Sequence, residues 1–362
     1  MYARKIFRQH GVLGAPFFHA HRARSSWTRL VGGALVLCLG LFSELVAQNV
    51  RDVPLPELVS ESGAGDGNQG SETPSISLDG DFIAFTSNAT NLVPDDGDRV
   101  TDIYLYDVED DTLEAITKPS GVLLRRGSNT APSVSNGGGR IAFLSEDTRL
   151  DPADTDTGVD VFFYEARTEP FSLVSVSTTG GSGDGNSLSV AISDDGSVVV
   201  FVSEAGNLAT PVLEAGRRRV HIRDLRRGTT RRLDASRGVR LCDVSGDGRY
   251  VVFDASTNGL IPDDNNGSTD VFLFDRVTEQ VSRISVGEGR TEASADSRKP
   301  RISSDGRWIG FESDASDLVD HDMACPPESS PGLVLRSGLT REVTDAHKAP
   351  HSRAVHQQAQ AS

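Results

Sequence analysis

Apolar residues along this chain arrive in short bursts, and each burst follows a glycine turn. Ser75 to Ser87 reads SISLDGDFIAFTS, and the pattern returns as SVSNGGGRIAFLS, AISDDGSVVVFVS, VSGDGRYVVFDA and ISSDGRWIGFES. The turn glycines are Gly80, Gly138, Gly196, Gly248 and Gly306, and Phe85, Phe143, Phe201, Phe253 and Phe311 follow at a constant offset. Intervals of 58, 58, 52 and 58 residues mark a repeat architecture. Each unit predicts four strands. Strand a ends at the motif's opening serine, and an Asp-Gly hairpin turns the chain into strand b. A polar, acidic loop leads to strand c: DIYLYD at 102–107, DVFFYE at 160–165, RVHIRD at 219–224 and DVFLFD at 270–275. Strand d follows a second turn. Strand c is apolar on both faces, so both faces of each small sheet must be covered.

These units predict an all-β chain of four-stranded antiparallel blades packed around an axis. The units fall near 72–117, 131–177, 189–234, 239–286 and 299–344. Five blades are expected; a six-bladed ring with one incomplete blade and an open seam is the alternative. In the fifth unit, strand d is expected at Thr340–Thr344. Upstream, residues 48–71 read as a linker plus an orphan outer strand at Glu57–Ser60. The blade geometry puts the b–c loops and d–a connections on one face and the hairpins on the other.

The motif P-x-I-S-x-D-G-x-x-I-A-F-x-S, an acidic loop and then D-V-F-V-Y-D resemble the TolB-like, WD-repeat-like β-propeller units of bacterial exported proteins. The resemblance spans about residues 57–346. It implies the propeller fold and an envelope setting, and it names no substrate, since one fold hosts many roles.

Charge and the termini refine this picture. Residues 1–47 carry six Lys/Arg and one acid, leaving 30 basic against 51 acidic residues in the remainder. So acidic a surface repels phosphate and argues against nucleic acid as a partner. The basic start, the apolar run Leu30–Val46 and Ala47 read as a secretory signal, with an uncleaved N-terminal anchor as runner-up. A periplasmic or secreted location follows. Residues 347–362 lack periodicity and read as a disordered tail.

Candidate chemistry collects in the b–c loops. Asp154, Asp156 and Asp160, and likewise Asp264, Asn266 and Asp270, resemble a D-x-D-x-x-x-D calcium loop. Calcium takes six to eight oxygen ligands, which alternating Asp/Asn side chains can supply. Solvated turn acids capping strand c are the plainer reading. Cys242 and Cys325 occupy adjacent units on the same face and are candidates for a disulfide in an oxidising compartment. Arg217, Arg218, Arg219, Arg226 and Arg227 are read as a partner patch, or as edge-protecting charge. No G-x-S-x-G or H-E-x-x-H motif is present. The sequence therefore points to a non-enzymatic scaffold for a protein or envelope partner, with structural calcium as its one cofactor candidate. A propeller-based hydrolase or polysaccharide lyase is the alternative.

Overall fold

The computed structural model describes residues 59–345 except 63–64, 95, 97–99, 118–126, 167–170, 234–237, 257–259, 263, 288–290, 319–331 and 338–342. The leader or anchor reading for residues 1–47, the start of the orphan strand at Glu57, Cys325 and the tail lie outside the described residues.

The described chain is all β, and each unit folds as one four-stranded antiparallel sheet in sequential order. Blade 1 holds β3 (Ser71–Ile76), β4 (Phe82–Ser87), β5 (Asp102–Asp107) and β6 (Thr112–Ala115). Blade 2 holds β7 (Asn129–Val134), β8 (Arg140–Ser145), β9 (Asp160–Glu165) and β10 (Ser172–Leu173). Blade 3 holds β11 (Ser187–Ile192), β12 (Val198–Ser203), β13 (Arg219–Asp224) and β14 (Thr229–Leu233). Blade 4 holds β15 (Cys242–Val244), β16 (Tyr250–Ala255), β17 (Asp270–Asp275) and β18 (Gln280–Arg283). Blade 5 holds β19 (Ser297–Ile302), β20 (Trp308–Ser313), β21 (Gly332–Ser337) and β22 (Val343–Asp345). Five blades are therefore present among the described residues.

The fifth outer strand pairs with β21 at Val343–Asp345 and overlaps the described end of the expected Thr340–Thr344, whose residues 340–342 lie outside the described residues. One element differs from its sequence expectation. Val59 and Ser60 are not extended; a short hairpin, β1 (Glu61–Ser62) with β2 (Gly65–Asp66), follows them. The reason is visible in the contacts. Residues 59–70 fold back as a brace on the next blade, where Asn68 N–H donates to Asn91 Oδ1 at 2.8 Å and Asn91 Nδ2 to Asp66 O at 2.8 Å. The connection after blade 2 does the same to blade 3, with Asp184 N–H on Asn207 Oδ1 at 3.1 Å. After blade 4, Ser294 N–H donates to Asp317 Oδ1 at 2.9 Å.

The prolines of the motif have a structural cause. The residues before Pro74, Pro132 and Pro300 take positive φ (Thr73 50°, Ala131 51°, Lys299 53°), and the register with strand b shifts there. Proline has no N–H to give the ladder, so it sits at a bulge.

Consecutive blades meet in apolar layers. Val198, Val200 and Val202 of β12 pack on Val251, Phe253 and Phe272 of blade 4, and Val252 and Leu273 on the reverse face pack on Ile309 and Phe311 of blade 5. Within blades, facing rings of strands b and c stack: Phe85 on Tyr104, Phe143 on Phe162, Phe201 on His221 and Phe253 on Phe272, at 5.3–6.0 Å. Burying each such ring contributes about 1.5–3 kcal/mol. His221 is thus a core ring in an aromatic position.

Candidate metal centre

Register sets one electrostatic problem at the same place in several blades. The last residue of strand b pairs with the first of strand c: Ser87 with Asp102, Ser145 with Asp160, Ala255 with Asp270. Each of these aspartates is buried and accepts a hydroxyl from beyond strand d. Thr117 Oγ1 donates to Asp102 at 2.6 Å, Ser175 Oγ to Asp160 at 2.5 Å and Ser285 Oγ to Asp270 at 2.5 Å. The b–c loop then adds a second buried carboxylate: Asp96, Asp154 and Asp264. Buried like charges need a partner.

The blades answer differently. In blade 1 the Tyr104 hydroxyl donates to Asp96. In blade 3 Arg219 stands where the others have aspartate, and its guanidinium donates to Arg217 O and Glu214 O, both at 3.1 Å. In blade 4 the buried Arg283 guanidinium lies 3.7 Å from Asp264 and 3.5 Å from Asp270, and 2.7 Å from Glu292. Arg283 pairs across the sheet with Phe272; in blade 2 the residue pairing with the equivalent Phe162 is Leu173.

Blade 2 has no such answer. Asp154, Asp156 and Asp160 bring one carboxylate oxygen each within 4.8 Å of one another. That span is about twice a Ca–O distance. Asp154 is 5% exposed, and its Oδ2 has no hydrogen-bond partner. No described Lys, Arg or His forms an ion pair with any of the three; the nearby Arg149 is taken by Asp147 at 2.8 Å. The loop is held in shape by its own bonds, with Gly158 N–H on Asp156 Oδ1 at 2.6 Å and Ser182 Oγ on Asp156 Oδ2 at 2.7 Å. A Cβ at Gly158 would come within 2.9 Å of Asp156 Oδ1, so a larger residue there would push the Asp156 carboxylate aside. Burial, opposed by the Ser175 hydrogen bond and reinforced by Asp154 and Asp156, pushes Asp160 up to about 7. Burial first, then neighbouring acids, also raises Asp154. An all-oxygen donor set of this kind suits a hard divalent cation.

The other sequence candidates separate on inspection. Asn266 presents its amide nitrogen to Asp270 Oδ2 at 3.2 Å and to Ala293 O at 3.0 Å, while its oxygen accepts from Ser268 N–H at 2.9 Å. Arg283 faces Asp264 and Asp270 and partly offsets their charge, so the Asp264/Asn266/Asp270 group already holds a cation of its own, although both Asp264 oxygens are buried without a hydrogen-bond partner. Cys242 is a free, fully buried thiol, and burial pushes its pKa well above the usual range. Its expected partner, Cys325, lies outside the described residues. The arginine patch divides. Arg217, Arg218 and Arg219 precede or open β13, while Arg226 and Arg227 follow its far end. Arg219 is buried at 4% exposure, and Arg218, Arg226 and Arg227 pair with Glu204, Asp195 and Asp224. Sequence reasoning missed Arg283, which meets the loop acids only through the pairing of β17 with β18.

A cavity of about 520 Å³ runs between the inner strands and takes its lining from all five blades. Asp194, Asp243, Arg301 and Ser304 are its polar groups of note, and Ser304 Oγ donates to Asp194 across the intervening blade. Sequential four-stranded sheets, joined face to face and sharing one axial cavity, decide the architecture. The fold is a β-propeller.

Solved structures of similar propeller fold include TolB from Acinetobacter baumannii, at 19% identity and TM-score 0.45 over 75% of this chain and 52% of that one. This chain thus matches about half the length of that TolB. The β-propeller domain of the trilobed protease from Pyrococcus furiosus matches at 12% identity and TM-score 0.48, over 78% of this chain and 73% of that one. An oligogalacturonate lyase in complex with manganese matches at 15% identity and TM-score 0.43, over 74% of this chain and 64% of that one. No family model and no curated protein matches the sequence. One fold can host many activities, so the fold alone selects none.

Proposed function

We propose that this propeller is an exported, non-enzymatic scaffold for a protein or envelope partner, stabilised by one Ca²⁺ held by Asp154, Asp156 and Asp160. The observation that carries it is the uncompensated blade 2 triad, set beside a blade 4 loop that holds its own arginine. The three carboxylates would supply the anionic ligands, and water the remainder of a six- to eightfold shell. The ion would rigidify a b–c loop on the face where the d–a connections also emerge. Offsetting two of the three negative charges there would also reduce repulsion from an acidic partner surface.

Calorimetric titration of the chelator-treated full chain with Ca²⁺ tests the metal. One site is expected in the wild type and none in Asp156→Asn. Absence of binding, with equal thermal stability in Ca²⁺ and in chelator, overturns it. The scaffold half is tested separately by a panel of glycan and peptide substrates. Turnover that is lost in Asp243→Asn or Arg301→Met would place chemistry in the axial cavity and replace the scaffold with a hydrolase or lyase.

A further inference from the structure

One position of the repeat lines the axial cavity in every blade. Ser75, Ser133, Ala191, Asp243 and Arg301 each stand one residue before the end of strand a, and all of them line the cavity. The side chain at this position can bond to the next blade. Ser75 Oγ accepts the Val134 N–H at 3.2 Å, and Ser133 Oγ accepts the Ile192 N–H at 3.1 Å. Ala191 has no acceptor to offer, and the Val244 N–H turns to Asp243 Oδ1 at 3.0 Å. Asp243 Oδ2 in turn accepts the Ile302 N–H at 3.0 Å. Two backbone donors thus fix the Asp243 carboxylate. Blades 1 and 2 show that a hydroxyl is enough for the bond between blades, so the fold does not require a charge at Asp243. Arg301 carries donors only and cannot make this bond at all. Both charges exceed what the architecture needs.

The two charges are opposite and stand on adjacent blades. Burial raises the Asp243 pKa and the nearby Arg301 opposes that rise, yet the two side chains do not close into a salt bridge among the described ion pairs. Asp194, held by the Ser304 hydroxyl, brings a second carboxylate to the same cavity. The wall also offers wet aliphatic surface: Ile76 is 62% exposed and Leu188 38% exposed, and both line the cavity. Its volume of about 520 Å³ falls within the range of small-molecule sites. We propose that the axial cavity binds a small zwitterion with an aliphatic side chain, an α-amino acid. Asp243 and Asp194 take the ammonium, Arg301 the carboxylate, and Ile76 and Leu188 the side chain. Guanidinium and carboxylate match in geometry and charge. Charges on adjacent blades suit a ligand whose own charges are close together, as on one α-carbon. The site is independent of the blade 2 triad, and binding there requires no turnover.

Calorimetric titration of the full chain with L-leucine, N-acetyl-L-leucine and L-leucinamide tests this. Leucine is expected to bind at one site. Blocking either charge should weaken binding about tenfold or more, since each block removes a charge-assisted hydrogen bond. Two variants then locate the site. Asp243→Ser keeps the hydroxyl acceptor that blades 1 and 2 use, so its thermal unfolding should stay near the wild type. Its penalty for N-acetylation should shrink, while the penalty for amidation remains. Arg301→Gln should shrink the amidation penalty and leave the acetylation penalty in place. No binding of leucine, equal affinity for the three ligands, or penalties unchanged in both variants overturns the proposal. The three-ligand comparison on the wild type decides the matter even where a variant fails to fold.

Discussion

Blade 2 and blade 4 have nearly the same loop and opposite electrostatics. Each buries two aspartates at the foot of strand c, and each ties one of them to a serine hydroxyl at 2.5 Å. Blade 4 then places Arg283 between them; blade 2 places Leu173 at the matching cross-strand position. The acidic motif is therefore insufficient evidence for an ion. What distinguishes a cation site from a structural pair is the residue across the sheet, on a different strand.

That comparison can be broken experimentally. The largest effect is expected from Arg283→Leu, which strands Asp264 and Asp270 as buried charges. Removing one partner of a buried pair costs about 3–5 kcal/mol. Denaturant unfolding should show that loss without Ca²⁺, and a partial recovery with it if the vacated loop now accepts an ion. Chelation of the wild type comes next. At a free Ca²⁺ concentration 100-fold above Kd, binding stabilises by about 2.7 kcal/mol, so thermal unfolding should shift down in chelator and should not shift in Asp160→Asn. Leu173→Arg is the reciprocal change. It should abolish the Ca²⁺ shift while leaving stability in chelator equal to or above the wild type. A stability response to Ca²⁺ that survives this change would separate the metal from the triad.

The smallest effect concerns acid at the other end of blade 4. Arg249 makes two hydrogen bonds to Asp275, at 3.0 and 2.8 Å, and these hold the Asp275 carboxyl well below the usual carboxylate range. A depressed folded-state pKa adds stability above the unfolded value near 3.9, and that stability is lost as pH falls towards the folded value. Arg249→Met should therefore lower stability slightly near neutrality, the loss being small because this pair is partly solvent-screened, and the difference from wild type should shrink as pH falls below the unfolded value.

Much of the fold was legible because its determinants are local. The Asp-Gly turns, the alternation in strand b and the doubly apolar strand c lie within a few residues of each other. The outer elements were less legible. Val59–Ser60 looks like strand d by its neighbours, yet the glycine- and asparagine-rich continuation bonds to the next blade's loop and sets the conformation instead. The site was half legible. Asp154, Asp156 and Asp160 are close in sequence, so their convergence could be anticipated. Arg283 is thirteen residues beyond Asp270 and meets it only through the pairing of β17 with β18. The arginine cluster shows the converse failure: residues near in sequence are sent to opposite ends of β13.

The brace formed by residues 59–70, and its counterparts after blades 2 and 4, changes what counts as a module. Each connection leaves one sheet and spends its hydrogen bonds on the loop of the following one. The cooperative unit is thus offset from the sheet and straddles a blade boundary, as nearest-neighbour coupling in a repeat array requires. A blade excised at its sheet edges would lose the segment that supports its own b–c loop. A transplantable cassette would have to begin at the preceding brace, and graft boundaries drawn there should retain the loop geometry that sheet-edge boundaries destroy.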